Sequence, residues 1–236
     1  MQQYFLEQPV SVGDVIELPS DKAHHAIRVL KLNHETVRLV YQNTGYFADV
    51  YPEGKKGMAR ILEQDPAFNE LKTDITLCMA LIRREKFELV LQKAAELGVS
   101  RIVPFESSRC VVHARQEKLE RQKERWNAIL TEASEQCKRN LIPECTDVVS
   151  FSSLPDYKRA VNVCAYEKAS GKAQRLSSFE NPESITVVIG PEGGFSNDEV
   201  AYLEQADFVS ITLGNRILRA ETAAMYACAA IGELFQ

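Results

Sequence analysis

The first part of the chain consists of short runs in which apolar and polar residues alternate, the pattern of half-buried β-strands. Strands are predicted over Val15–Leu18, Thr36–Tyr41, Gly45–Tyr51 and Gly57–Leu62, with turn-forming residues between them. One helix is predicted over Ser20–Leu30, with Ser20 or Asp21 as its N-cap. Several short strands within so few residues favour a small β-barrel, which could bind RNA or protein or serve only as structure.

After Asp65-Pro66 the pattern changes to strands that alternate with longer helices, which indicates a parallel sheet. Strands are predicted over Asp74–Leu81, Arg101–Phe105, Val161–Tyr166, Ile185–Ile189 and Phe208–Leu213. Helices are predicted over Arg84–Leu97, Glu117–Cys137 and Ala220–Leu234, and Gly98 stands where the first of them needs a C-terminal cap. We therefore expect an α/β protein with one domain over residues 1–70 and a second over residues 73–236.

Composition narrows the class of protein. Hydrophobic residues make up 45% of the chain, as in a globular protein with a sizeable core. The N-terminus lacks a signal-peptide pattern, and no apolar run approaches the ~20 residues that span a bilayer, so a cytoplasmic protein without a membrane partner is expected. The six cysteines are scattered without a C-x-x-C pair, which predicts reduced thiols and no metal site. The net charge of −5 argues against a broad nucleic-acid surface but allows a local basic patch.

The predicted strand Ile185–Ile189 leads into a glycine-rich loop, Gly190–Phe195, and then into a capping box formed by Ser196 and Glu199. A glycine-rich turn between a strand and a helix is where α/β proteins bind nucleotides. The loop lacks both the G-x-G-x-x-G spacing and a P-loop lysine, and Glu192 would repel a phosphate. S-adenosylmethionine, which carries an adenosine and a positive sulfonium but no phosphate, fits better. The glycines could equally form only a tight turn.

A second loop follows the strand Phe208–Leu213. Gly214 permits a sharp exit from the strand, and the amides of the turn could face a ligand. Arg216, Arg219 and Glu221 precede or begin the next helix, where they could hold an RNA phosphate, a uracil carbonyl or a proton. They could also form no more than a salt-bridged helix terminus.

These two segments, IGPEGGFSNDE and LGNRILRAETAA, resemble the terminal motifs of the SPOUT superfamily of RNA methyltransferases. Within it the chain is most similar to the RsmE-type family, which methylates N3 of a uridine in 16S ribosomal RNA. Further segments carry the resemblance, namely His25–Leu30, Arg83–Gly98, Pro104, Arg109, Trp126, Glu132-Ala133, Gln136 and Arg139. Lys31, where arginine is commoner, and Asn215, in a variable position, are the visible departures.

The resemblance implies a small N-terminal PUA-like β-barrel that binds RNA, followed by a parallel-sheet SPOUT domain with a trefoil knot. Topology rules alone would exclude such a knot. It also implies a homodimer and a cofactor pocket for S-adenosylmethionine within the knot. The expected cofactor-binding residues are Gly190, Pro191, Glu192, Gly193, Gly194, Leu213, Gly214, Ile217, Leu218 and Thr222, with Tyr166 and Glu167 as further candidates.

The same resemblance suggests where RNA binds and how it reacts. The candidate RNA-binding residues are His25, Arg28, Lys31, Arg83, Arg84, Lys86, Arg109 and Arg139, each of which could instead be an ordinary surface or packing residue. The expected reaction is a direct displacement in which uridine N3 attacks the sulfonium methyl in line, without a metal. Arg219 is expected to stabilise the base, and Glu221 is a candidate proton acceptor.

Three other functions are compatible with parts of the sequence. A ribose 2′-O-methyltransferase of the same superfamily would share the cofactor loops, although the barrel motif and the segment Arg83–Gly98 speak against it. A non-catalytic RNA-binding factor for ribosome assembly could retain an idle cofactor fold. A dinucleotide-dependent oxidoreductase is poorly supported, because the glycine spacing differs and the loop is acidic.

Overall fold

The computed structural model describes residues 1–114, 117, 119–169 and 174–235, and these form two compact units. Unit 1 consists of Met1–Glu70 together with Ser134–Leu141. Unit 2 consists of Leu71–Ala133 and Ile142–Gln236. Each unit has its own hydrophobic core. No helix within the described residues is long and apolar enough to cross a membrane.

Unit 1 contains a small and largely antiparallel sheet, which in the described part of the chain has five strands. They are β1 (Gln3–Phe5), β2 (Val15–Glu17), β3 (Glu35–Tyr41), β4 (Thr44–Glu53) and β5 (Lys56–Asp65), in the order β1-β3-β4-β5-β2. Only β1 runs parallel to its neighbour, β3. In β5, alternate residues such as Ala59 and Ile61 are fully buried, as the period of two predicted, whereas β3 buries Val37 to Val40 without alternation. The four predicted strands are confirmed, with each end within three residues of the prediction.

The predicted helix of unit 1 is confirmed in position but differs in form. An α-helical turn, α1 (Ser20–Ala23), continues as a π-helix over His24–Val29. The predicted N-cap is wrong: Pro19 occupies that position, and no side chain caps the helix. Ser20 is already the first helical residue, so neither it nor Asp21 stands where a cap side chain meets the free amides.

Arg38 is the centre of a buried polar network in unit 1, since it is only 2% exposed. Its guanidinium donates hydrogen bonds to Asp65 Oδ2 at 2.6 Å, to Gln3 Oε1 at 2.8 Å and to Asn140 Oδ1 at 3.1 Å. Burial alone would raise the pKa of Asp65, but the Ala67 amide and Arg38 both bond its carboxylate and hold the pKa below its ordinary value. The contact with Asn140 helps to explain why residues 134–141 belong to this unit.

Unit 2 contains a parallel sheet of seven strands within the described residues. They are β6 (Asp74–Ala80), β7 (Arg101–Glu106), β8 (Glu144–Cys145), β9 (Val149–Ser150), β10 (Val161–Ala165), β11 (Ser184–Ile189) and β12 (Val209–Ile211). The order is β12-β10-β11-β6-β7-β8, and β9 also pairs with β7. β6 and β11 are buried almost throughout, as expected for central strands covered on both faces.

The helices of unit 2 are α2 (Arg84–Glu96), α3 (Leu119–Gln136), α4 (Asn197–Gln205) and α5 (Ala220–Leu234), and the last residues of α3, from Ser134, belong to unit 1. The three predicted helices are confirmed to within two residues at each end. Gly98 directly follows the C-cap residue Leu97. The predicted capping box is also confirmed, because Ser196 Oγ accepts from the Glu199 amide and Glu199 accepts from the Ser196 amide. The sequence analysis predicted where α4 begins but not where it ends.

Replacing Arg38 by methionine is expected to lower the free energy of unfolding by about 3–5 kcal/mol at pH 7, because it leaves the Asp65 carboxylate buried and unpaired. The loss should shrink at pH 4, since burial without Arg38 raises the pKa of Asp65 and protonation then removes the buried charge. Urea unfolding at both pH values measures this. Arg60→Met, which removes an exposed arginine of β5, is the control and should change stability by less than about 0.5 kcal/mol. Equal effects of the two substitutions at pH 7 would contradict the prediction.

Candidate active site

A cavity of about 530 Å³ lies at one edge of the parallel sheet of unit 2. It is lined by the segments that follow the carboxyl ends of three adjacent strands, β12, β10 and β11, and by Lys86 of α2, which follows the neighbouring strand β6. In parallel sheets such carboxyl ends share one edge, which is the usual place for a ligand. The strand order therefore brings together segments that are far apart in sequence.

The loop Gly190–Phe195 forms one wall of the cavity. The Gly194 amide donates to Pro191 O at 2.9 Å and closes a tight turn. Gly194 has a φ of +65°, so the turn favours glycine, and a Cβ there would lie 2.9 Å from Glu167 Oε1 and would push that side chain aside. The Phe195 ring is buried against Gly190, where an added Cβ would approach it to 3.0 Å.

The loop from Thr212 to Arg219 forms a second wall. Gly214 has a φ of +116°, and its amide donates to Thr212 Oγ1 at 3.2 Å. A Cβ at Gly214 would meet nothing within 4 Å, so this glycine serves the backbone conformation and leaves open space beside the loop. Ile217 is 84% exposed although it is apolar, which leaves hydrophobic surface at the cavity.

Acidic and polar groups follow β10 at the cavity. Tyr166 and Glu167 line it together with Glu192, and the Tyr166 hydroxyl donates to Asn197 Oδ1 at 3.2 Å. Ionised carboxylates only accept hydrogen bonds and attract positive charge. This part of the cavity thus suits hydroxyl groups and cations rather than phosphates.

Basic groups enter the cavity from α2 and from the start of α5. Lys86 lines it and pairs with Glu221, Nζ to Oε1 at 3.1 Å, and Arg219 lines it as the N-cap residue of α5. Burial alone would raise the pKa of Glu221, which is 8% exposed, but its own amide, Lys86 and the charge of Arg219 hold that pKa below its ordinary value. Glu221 Oε2 has no hydrogen-bond partner among the described residues.

Of the residues predicted to hold a cofactor, nine line this one cavity: Gly190, Pro191, Glu192, Gly193, Gly194, Leu213, Gly214, Ile217 and Leu218. Thr222 does not line it, because it is exposed within the first turn of α5. Sequence reasoning missed the lining residues Ala165, Ile189, Phe195, Thr212 and Ala223. Most of these residues lie at strand ends, next to the predicted loops. Because parallel strands end at a common edge, the predicted sheet could have indicated that these residues line the cavity.

The residues predicted to bind RNA are in different settings. In unit 2, Lys86 belongs to the cavity, Arg109 donates to carbonyls of the loop Gly190–Phe195, and Arg84 pairs with Glu88 at 2.8 Å. Arg83, the N-cap residue of α2, is exposed. In unit 1, Arg28 and Lys31 are exposed near the end of the π-helix.

Two further candidates of unit 1 have partners inside it. His25 Nδ1 shares a hydrogen bond of 3.0 Å with the Tyr4 hydroxyl. Arg139 is 3% exposed, and its Nε and Nη2 donate to Glu70 Oε2 at 3.0 and 2.6 Å. The structure therefore gives Arg139 a buried partner inside unit 1, and its assignment to RNA stays a prediction.

Among the described residues, no group of three or more histidine, cysteine, aspartate or glutamate side chains could hold a metal ion. The six cysteines are free thiols, and all except Cys137 are buried.

Comparison with known proteins places this geometry in a family. A family model described as an RNA methyltransferase domain matches residues 69–232. The chain is 32% identical to ribosomal RNA small subunit methyltransferase E of Bacillus subtilis, over 98% of this chain and 96% of that protein. It is 35% identical to the protein of the same name from Mesomycoplasma hyopneumoniae, over 85% and 86% of the two chains.

Solved structures agree. The crystal structure of ribosomal RNA small subunit methyltransferase E from Neisseria gonorrhoeae, bound to S-adenosylmethionine, matches with a TM-score of 0.91 and 30% identity, over 100% of this chain and 98% of that one. A Legionella pneumophila protein solved in complex with the same cofactor matches with a TM-score of 0.88 and 29% identity, over 97% and 96%. The chain therefore belongs to the RNA methyltransferase family.

Proposed function

We propose that this protein transfers a methyl group from S-adenosylmethionine to N3 of a uridine in 16S ribosomal RNA. The observation that carries the proposal is that both glycine loops wall one cavity at the carboxyl edge of the parallel sheet. Relatives that match nearly the whole chain are named small-subunit ribosomal RNA methyltransferases, and one of them is solved with this cofactor. Uridine N3 as the target atom comes from the resemblance to the RsmE-type family.

The residues of the cavity fit S-adenosylmethionine. The turns at Gly194 and Gly214 bring backbone close to the cavity without side chains in the way. Glu167 and Glu192 suit the ribose hydroxyls and the positive charges of the cofactor and would repel a dinucleotide phosphate. When bound, the cofactor would supply an electrophilic methyl group on its sulfonium sulfur. Uridine N3 would take this methyl group as the sulfur–methyl bond breaks, and the neutral thioether S-adenosylhomocysteine would leave. We include Thr222 among the cofactor-binding residues as the resemblance implies.

We assign activation of the target uracil to the positively charged side chains of the cavity. N3–H of uridine is a weak acid, so the reaction needs negative charge on the uracil oxygens to be stabilised as the proton leaves. Arg219, fixed at the start of α5, is the donor we assign to the base, in the manner of an oxyanion site. Glu221 remains our proposed proton acceptor: its Oε1 is paired with Lys86, which lowers its pKa and makes it a weaker base, and its Oε2 has no hydrogen-bond partner among the described residues.

We also propose a separate function for each part of the chain. Residues 1–70 act as a PUA-like β-barrel that binds RNA through His25, Arg28 and Lys31, and residues 73–236 act as the methyltransferase domain, with Arg83, Arg84, Lys86 and Arg109 towards the RNA. The exposure of Arg28 and Lys31 supports this division. The trefoil knot, the homodimer, the cytoplasmic location and the ribosomal particle as substrate rest on the resemblance.

Gly194→Val and Gly214→Val should each weaken binding of S-adenosylmethionine by about 100-fold or more. A branched side chain opposes the left-handed backbone at both sites and meets Glu167 at the first. Isothermal titration calorimetry measures the affinity. Gly54→Val is a matched control, because Gly54 has a φ of +61° with open space around it but lies in unit 1. Wild-type affinity in a folded Gly194→Val variant would show that this loop is not the cofactor site.

Arg219→Ala should lower methyl transfer about 100-fold or more and change cofactor affinity by only a few-fold, because its partner is the target base. Arg28→Ala should instead weaken RNA binding and make that binding less dependent on salt. Each phosphate contact releases counterions when it forms, and this variant would lack one such contact. Single-turnover transfer assays and RNA binding at several salt concentrations separate the two effects. Joint loss of cofactor binding and transfer in Arg219→Ala would refute this division of roles.

The product should be 3-methyluridine, and the transfer rate should rise with pH, because more of the nucleophile is then deprotonated. Nucleoside digestion of methylated small-subunit RNA followed by mass spectrometry identifies the product. A methyl group on the ribose, which would protect the neighbouring phosphodiester from alkali, would favour a 2′-O-methyltransferase. Bound cofactor without any transfer would favour a non-catalytic assembly factor.

A further inference from the structure

The glycine loop of the cavity is held from its side by another segment of unit 2, Ser107–Arg109, which follows β7. Arg109 Nη1 donates to Gly193 O at 3.2 Å and to Phe195 O at 3.1 Å, so a single nitrogen bonds the carbonyls on both sides of Gly194. The backbones are close as well, because a Cβ at Gly193 would lie 3.3 Å from Arg109 O. The guanidinium is therefore part of the support of the loop.

Glu199 provides a second link between the same two segments. Its Oε1 accepts from the Ser108 amide at 2.8 Å, and its Oε2 accepts from the Ser196 amide at 2.8 Å. Glu199 is buried, so these charge-assisted bonds are shielded from competing water. One carboxylate thus ties Ser108 to the end of the glycine loop, next to the position at which Arg109 holds its middle.

We propose that Arg109 is a positioning residue that fixes the glycine loop in the conformation that binds the cofactor. Glycines lose more conformational freedom on ordering than other residues, so a loop with three of them is costly to fix when a ligand binds. Bonds that order the loop beforehand reduce this cost and raise affinity without touching the ligand. This inference rests on the proposed function, and it gives Arg109 a role besides the RNA contact predicted from the sequence.

The geometry makes the test specific. Because Nη1 makes both contacts, the ammonium of a lysine can reproduce part of them, whereas methionine keeps an unbranched apolar stem and removes the donor. In calorimetry on the full chain without RNA, Arg109→Met should bind S-adenosylmethionine about tenfold or more weakly, and Arg109→Lys within about threefold of wild type. Arg101→Met removes an arginine of β7 that pairs with Glu144 at the surface, and it should leave this affinity unchanged.

Thermal unfolding without cofactor and RNA binding at several salt concentrations complete the test. Arg109 is exposed, so the three variants should unfold at similar temperatures. Wild-type cofactor affinity in Arg109→Met would overturn the proposal, and weaker, less salt-dependent RNA binding in that variant would then assign the residue to RNA. A lowered unfolding temperature in Arg109→Met with no recovery in Arg109→Lys would mean a merely structural role and would also overturn it. Wild-type protein that binds no S-adenosylmethionine would refute the proposed function itself, a result distinct from all of these.

Discussion

The site depends on one constraint, the parallel pairing of β12, β10, β11 and β6 in that order. Parallel strands must all end at the same edge, and these four are neighbours there. The chain leaves that edge through a glycine turn after β11 and another after β12, and both turns need backbone conformations that other residues rarely adopt. Sheet order therefore decides which loops meet, and glycine decides how closely they approach a ligand.

Much of this could be predicted, because the long elements carry clear periods. The runs that became β6, β11 and α5 have continuous apolar or helical patterns, and the glycine loops stand out between them. β8 and β9 have only two residues each, which is too short for any period to show. The N-cap of α1 was misplaced because serine and aspartate next to a proline offer several equivalent starts.

The partners of charged residues were the least predictable feature. Arg139 and Glu70 are 69 positions apart in the sequence, and no local sequence pattern predicts that they form a buried pair. Lys86 likewise resembles a surface cation of α2 until the fold places Glu221 beside it. The sequence alone does not show whether the partner of a basic residue is a phosphate, a carboxylate or a backbone carbonyl. Tertiary contacts alone separate Arg28, which is exposed, from Arg139 and Arg109, which bond within their units.

The acidic and the basic residues of the cavity would contribute differently to methyl transfer. In the proposed function, Glu167 and Glu192 would contact hydroxyl groups of the cofactor, which the reaction does not change, so these contacts would raise affinity in both states. Negative charge on the uracil, in contrast, develops only as N3 loses its proton and attacks. In the proposed mechanism a fixed cation such as Arg219 would act mainly on that later state and so lower the barrier. Lys86 is paired directly with Glu221, which neutralises part of its charge, so we expect Arg219 to be the stronger stabiliser of the two.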